Sequence, residues 1–241
     1  GKNRLGVSLH SRRRMHEFHR RAEARGEALP VAITLGIHPL HYMGSMVFAY
    51  PPNVRKFEII GGLFGEPYRL ARCGVGDLEV PAGAEIILEG EILPHVHEPE
   101  GPFGESHGHV ALEDFNMSMT VTAITYKKNA VFSTILSEVT PSESSILKKS
   151  AYEALYFAHL KNQLEIRGIK KVVMHEPLTN LRKVLFLQFA HGAPQTEVWR
   201  GLQGAASLQA QCGKVVIAVS EDIDPANTDA IFWSLAYRAN P

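Results

Sequence analysis

Three short apolar runs in the last third of the chain, KVVM (171–174), KVLFLQFA (183–190) and KVVIAVS (214–220), constrain the fold more than any other feature. Runs of this length, rich in β-branched residues, read as buried strands. TEVWRGLQGAASLQAQ (196–211) lies between the second and third runs and ANTDAIFWSLAYR (226–238) follows the third; both read as helices. This alternation commits the segment to an α/β layer of about 100 residues, the scale of a small domain. A long helix leads into it. Ser144 and Ser145 can cap a helix through Arg167, with Leu147, Ala151, Ala154, Leu155 and Ala158 on its apolar face and Gly168 at its stop.

The preceding sequence is built differently. Ser11 can cap a helix through Arg25 that stops at Gly26, with Met15, Phe18 and Ala22 on one face, and VAITLGI (31–37) reads as a buried strand. Pro39 can open a short helix, and Asn53 can cap another through KFEIIGGLFG (56–65) before the extended EPYRLARC (66–73). Strands then dominate. EIILEGEIL (85–93) has the β-branched content of one, and SMTVTAITY (118–126) and AVFSTIL (130–136), joined by Lys127, Lys128 and Asn129, predict a hairpin. The change of pattern places a domain boundary near residue 142, giving domains 1–142 and 143–241 in a mixed α+β chain.

Charge narrows the function. Lys and Arg number 25 and Asp and Glu 25, so no net field draws the chain to nucleic acid or anionic lipid. Apolar runs such as VVIAV (215–219) are far too short to cross a bilayer, and the start of the sequence lacks the apolar core of a signal peptide. Cys73 and Cys212 are the only cysteines and form no CxxC pair, which argues against a disulfide framework and a thiolate zinc site. The expectation is a cytoplasmic protein acting on a small molecule.

HVHEPEGPFGESHGH (95–109) carries the densest chemistry. His95 and His97, then His107 and His109, stand at i, i+2 and would share a face on a strand, as a metal site needs, but neither pair has the spacing of HExxH. Gly104-Glu105-Ser106-His107-Gly108 satisfies G-x-S-x-G, yet no hydrophobic strand runs into it and HVALEDFN makes a poor helix after it, so a nucleophile elbow lacks its context. Glu100 and Glu105 offer a third reading. Glycines and a proline stiffen the turn between them, and two acids in one confined site cannot both stay ionised cheaply, so one can serve as a general acid. A solvated surface loop is the plain alternative.

PEGPFGESHG (99–108) resembles the signature loop of the UbiD family of prenylated-FMN-dependent decarboxylases. Collinear resemblances run through RLGVSLH (4–10), LPVAITLGIHP (29–39), GSM (44–46), FEIIGGLFGEP (57–67), DLEVPAGAEIILEGEI (77–92) and SEDIDPANTDAIFWSLAYRANP (220–241). The resemblance implies a split β-barrel flavin-binding domain followed by a small α/β oligomerisation domain, in a homodimer or higher homo-oligomer. It implies reversible, non-oxidative decarboxylation of an aromatic or α,β-unsaturated carboxylic acid. Glu100 then matches an acid paired with an arginine, and Glu105 the acid that returns a proton to the product carbon. His10 matches a ligand of a divalent metal, usually manganese, at the cofactor phosphate, and Ser45 and Met46 match a cofactor-contacting pair; potassium is a further candidate ion.

Two departures from the family pattern matter. Lys56 falls where the family has a metal-binding glutamate, and a cation cannot ligate a cation; Glu58 could substitute only if the segment were extended, because a helix would turn it about 200° away. The family's metal-ligating asparagine and its arginine belong to a motif upstream of the region matching RLGVSLH, and its C-terminal segment lies beyond the last match. The chain is therefore expected to be the central portion of such an enzyme and inactive by itself. The alternative is a non-catalytic scaffold or one subunit of a hetero-oligomer. Asp222 and Asp224 are expected to serve as turn and capping residues, and Trp199 and Trp233 in packing or an interface.

Overall fold

The structure is a computed structural model that describes residues 2–9, 14–46, 54–179, 182–209 and 212–239. It divides into two units, one comprising 1–42, 55–105 and 109–134 and the other 43–54, 106–108 and 135–241.

The elements up to Tyr126 are β1 (Arg4–Val7), α1 (Arg14–Glu23), β2 (Leu29–Leu35), α2 (Pro39–Met46), α3 (Lys56–Phe64), β3 (Leu70–Arg72), β4 (Glu79–Pro81), β5 (Ile86–Glu100), β6 (Phe103–Gly104), β7 (Val110–Ala111) and β8 (Asp114–Tyr126). The main sheet of the first unit has the order β1-β8-β5-β2, with every neighbouring pair antiparallel. One face buries Val31, Ile92, Met117 and Met119, against which Val7, Leu29, Ile33, Leu88 and Val121 pack. The mixed α+β class is as expected, but β1 and β2 end the sheet as open edges, so among the described residues it does not close into a barrel.

Three local expectations change. β5 does not end at Leu93: after an irregularity between Ile92 and His97, where His95 takes φ 58, it pairs again with β8 as far as Glu100. AVFSTIL forms no strand. Glu85 accepts both from Lys127 Nζ (2.8 Å) and from the Val131 N–H (3.2 Å), turning the chain away from β8 and leaving Val131, Phe132 and Leu136 exposed. On α1, His19 and Ala22 are buried while Met15 and Phe18 stay exposed, because Glu23 ties the helix to β5 by accepting the His95 N–H (2.9 Å). Ser11 and Asn53 lie outside the described residues, and the residue at the start of α3 is Arg55.

The second unit contains α4 (Glu143–Ala158), β9 (Ile169–Met174), β10 (Val184–Phe189), α5 (Gln195–Ser207), β11 (Val215–Ser220) and α6 (Thr228–Tyr237). Its sheet has the order β11-β10-β9, with β10 and β11 parallel across α5 and β9 antiparallel to β10. The cap of α4 is Ser142, one turn earlier than Ser145, whose N–H it accepts at 3.3 Å; Glu176 in turn accepts the Ser145 hydroxyl. The buried face of α4 is Ala151, Tyr152 and Tyr156, which displaces Ala154 to the surface, and a π-helical turn, His159–Gln163, extends the helix. Tyr156, Leu160, Ile166, Ile169, Met174, Leu185 and Leu187 fill one side of the sheet, and Val173, Phe186, Val219, Ile223 and Ile231 the other.

Asn227 caps α6 by accepting from Asp229 and Ala230. Asp222 pairs with Arg238 (2.6 Å), and Asp224 accepts the Ala226 N–H (3.0 Å), so both acids have local roles at this strand–helix junction. Trp199 and Trp233 are both exposed.

Candidate active site

The registers β1–β8 and β5–β8 pair Gly6 with Ser118, Arg4 with Thr120, Glu98 with Asn116 and Glu100 with Asp114. Side chains alternate along a strand, so Arg4, Gly6, Glu98, Glu100, Asn116 and Ser118 share the sheet face opposite Met117 and Met119. This face is polar and internally bonded. Arg4 lies 2.6 Å from the Glu98 carboxylate and donates to Ser118 Oγ at 2.7 Å. Glu100, half-buried at the end of β5, accepts from Asn116 Nδ2 at 2.8 Å. Its other oxygen, Oε1, lies 2.7 Å from where a Cβ on Gly6 would stand, so a side chain at position 6 would make the carboxylate shift.

Beyond Glu100 the chain turns at Gly101, whose φ of +100° suits glycine and where a Cβ would approach Leu112 O to 3.3 Å. It then forms the ribbon β6–β7, with Phe103 opposite Ala111 and Gly104 opposite Val110. Glu105 follows β6, exposed, with its N–H donating to His109 O at 2.8 Å. Ser106 therefore belongs to a strand–turn–strand connection, and the helix that a nucleophile elbow needs is absent after it. His95 Nδ1 stands 3.3 Å from Glu23 Oε1, but among the described residues no three His, Cys, Asp or Glu side chains are grouped so as to hold a metal ion.

Ser45 and Met46 end α2; both are half-buried, and Met46 packs against the core of the second unit. His10 lies outside the described residues. Lys56 opens α3, so its segment is helical, and Glu58 uses its carboxylate to accept the Arg55 N–H at 3.2 Å. Glu58 is thus turned about 200° from Lys56 and engaged at the helix start, which removes the condition for its substitution. Near α3, His41 Nδ1 and the Tyr68 hydroxyl are 2.7 Å apart. Burial, with the charge of Lys56, pushes the His41 pKa down, and burial pushes the Tyr68 phenol up, so the pair is neutral near pH 7.

Arg4, Gly6 and Asn116 were not distinguishable as site residues in the sequence. Only the register across three strands brings them beside Glu100, and the one signal was the alternation in DFNMSMTV (114–121) that puts Asn116 and Ser118 on one face.

Comparison with known proteins agrees with this architecture. A family profile described as the 3-octaprenyl-4-hydroxybenzoate carboxy-lyase Rift-related domain matches residues 1–139, and the C-terminal domain of the same carboxy-lyase matches 145–241. A phenolic acid decarboxylase of Bacillus subtilis is 29% identical over 100% of the chain and 50% of its own length. Among solved structures, an evolved dimeric form of the UbiD-class enzyme HmfF from Pelotomaculum thermopropionicum in complex with prFMN superposes with TM-score 0.91 at 29% identity, covering 100% of this chain and 54% of that one. Vanillic acid decarboxylase of Sedimentibacter hydroxybenzoicus in open form gives 0.83 at 26% identity, covering 100% and 50%. The chain spans about half the length of the curated relatives it matches.

Proposed function

Because the chain belongs to the UbiD carboxy-lyase family, we propose that it supplies the acid pair of a prenylated-FMN-dependent decarboxylase acting on an aromatic or α,β-unsaturated carboxylic acid. The observation that carries this reading is the Glu100 carboxylate, fixed on an open sheet face and joined through one glycine turn to the ribbon that ends at Glu105. Net reaction replaces a carboxylate by a proton: the bond to the carboxyl carbon breaks, CO₂ leaves with two oxygens, and the electron pair left behind takes up H⁺. Prenylated FMN supplies the sink for that pair when bound.

The donor set suits such a group. The face offers acids, a guanidinium, an amide and a hydroxyl, none of which can delocalise a carbanion through a conjugated system, so the sink comes from a bound group. Ser45, Met46 and His10 are the residues proposed to hold it. Glu105, exposed on the ribbon, delivers the proton to the product carbon, while Glu100 orients the substrate beside it. Manganese is proposed as the divalent ion held with the help of His10, and potassium as a further candidate ion; Lys56 stands where the family has its metal-binding acid, and Glu58 is engaged at the start of α3. Residues 1–142 are assigned to flavin binding in a split barrel, and 143–241 to assembly of a cytoplasmic homo-oligomer.

Lys56 favours a second reading, a non-catalytic scaffold or subunit of a hetero-oligomer. Carbon dioxide release separates the two. The natural full-length protein, given prenylated FMN, Mn²⁺ and a panel of cinnamic, benzoic and heteroaromatic acids, is expected to turn over at least one of them. Glu105→Gln should keep the flavin absorbance yet lose roughly 10²–10⁴-fold in rate. Near-parental release by that variant contradicts the role of Glu105, and no release by any form supports the scaffold.

A further inference from the structure

Glu23, at the end of α1, gathers three histidines that the proposed chemistry does not use. Its Oε1 accepts the His95 N–H at 2.9 Å and stands 3.3 Å from Nδ1 of the His95 ring. His19, one turn earlier, shares the Glu23 face of α1 and is buried, and His97 follows His95 along β5. The His95 N–H first, and then the charges of His19, His95 and His97, hold the Glu23 carboxyl below its ordinary range against the opposing effect of burial. Other charged groups of these elements are engaged elsewhere: Glu17 with Arg21, Arg25 just beyond α1 with Glu27, and Glu98 with Arg4. Arg14, His16 and Arg20 on α1 and Glu89, Glu91 and Glu100 on β5 complete the titratable set; β2, which also packs on α1, contributes none.

We propose that Glu23, His19, His95 and His97 form a pH-sensitive clasp that tightens as pH falls through neutrality, tying α1 to the outer segment of β5 (93–100). The ladder between β5 and β8 is interrupted between Ile92 and His97, and His95 takes φ 58 there, so Glu23 supplies a tie where the sheet does not. An imidazole gains its charge as pH falls through neutrality. Neutral rings leave Glu23 the His95 N–H; protonated rings add attraction, screened by solvent at His95, whose side chain is 74% exposed, and less so at buried His19. At still lower pH the clasp opens again, because a lowered carboxyl contributes stability above its unfolded value and loses it as pH falls through the native one. It is therefore closed between the carboxylate and imidazole ranges and looser on either side. The segment it ties ends at Glu100, so its bearing on turnover rests on the reading of Glu100 as a catalytic acid.

Amide hydrogen exchange tests it, measured by mass spectrometry on the natural full-length protein at about pH 5.5 and about pH 8, with the intrinsic pH dependence of exchange divided out. Peptides covering 93–100 should be protected about two- to fivefold more at the lower pH, relative to peptides from β10, which register any global change. Glu23→Gln keeps an acceptor for the His95 N–H but has no charge, and should abolish that difference. The paired substitution His95→Asn and His97→Gln removes two imidazoles at exposed positions, with asparagine tolerating positive φ, and should lose most of it; this pair carries the test if Glu23→Gln does not fold. Equal protection of 93–100 at the two pH values in the parent overturns the clasp. So does a parental difference that persists in Glu23→Gln or in the paired variant. Carbon dioxide release does not enter this test, so failure of the clasp and failure of the catalytic reading of Glu100 are separate results.

Discussion

In the second unit Tyr156, Leu160, Ile166, Ile169, Met174, Leu185, Leu187 and Ile231 are almost completely withdrawn from solvent; among the described residues of the first, the large side chains buried to that degree are Ile60, Ile92 and Met119. The first unit relies on carboxylates. Buried Glu89 accepts the N–H groups of Gly74, Val75 and Gly76 at 2.7, 2.9 and 3.1 Å, Glu85 holds the turn at Lys127 and Val131, Glu23 ties α1 to β5, and Glu100 is held by Asn116. Apolar burial has no direction and secures a packing as a whole, whereas each charged hydrogen bond fixes one group in one place. Acid–base chemistry needs the second kind of order; the second unit has it as well, where Glu153 accepts the Met174 N–H and Glu197 the Gly168 N–H at 2.8 Å each, but there it supplements a larger apolar core.

The largest stability effect should come from the apolar side of the comparison. Leu187→Ala, at a fully buried position on the central strand β10, is expected to cost about 3 kcal/mol in urea denaturation. A loss under about 1 kcal/mol would show that this core collapses around the cavity and is less rigid than its burial implies.

Glu89→Leu should cost about 2 kcal/mol at neutral pH, because the N–H groups of Gly74, Val75 and Gly76 lose the charged acceptor that the buried carboxylate supplies. The sign of its pH dependence is fixed. Burial pushes the Glu89 pKa up, but the three N–H donors outweigh it and hold the carboxyl below its usual range. A lowered native pKa contributes stability above the unfolded value and loses it as pH falls through the native one. The gap between parent and Glu89→Leu should therefore narrow from neutral pH to about pH 3; a gap independent of pH would mean that Glu89 acts by shape alone. Smallest is the cap of α6, where Asn227→Ala should cost about 1 kcal/mol, measurable as a lower midpoint in the same denaturation.

The second unit is the more legible of the two in sequence, for the same physical reason. Its central strand β10 is packed on both faces, and its neighbours β9 and β11 also send apolar side chains into both cores, so all three are written as apolar runs, and Asn227 stands directly before the helix it caps. In the first unit, PEGPFGE marks Glu100 and Glu105 by the stiffness of their turn. What seats Glu100 is not written locally: Gly6, Asn116 and Glu100 are far apart in the chain and meet through register, which single-sequence periodicity does not encode. AVFSTIL has the composition of a strand but lacks a ladder partner, because Glu85 takes the Val131 N–H. His95, His97 and Glu23 gather on β5 and α1 through the extension of β5, which a run of His, Glu and Pro does not advertise.

The central claim, that chemistry resides in the hydrogen-bonded first unit and bulk stability in the apolar second, is tested most directly by carbon dioxide release per folded molecule in the full-length protein carrying either Glu105→Gln or Leu187→Ala. At a temperature where both variants are folded, Glu105→Gln should lose turnover with its melting temperature unchanged, and Leu187→Ala should melt earlier while keeping its turnover. Glu105→Gln releasing carbon dioxide at the parental rate would contradict the account.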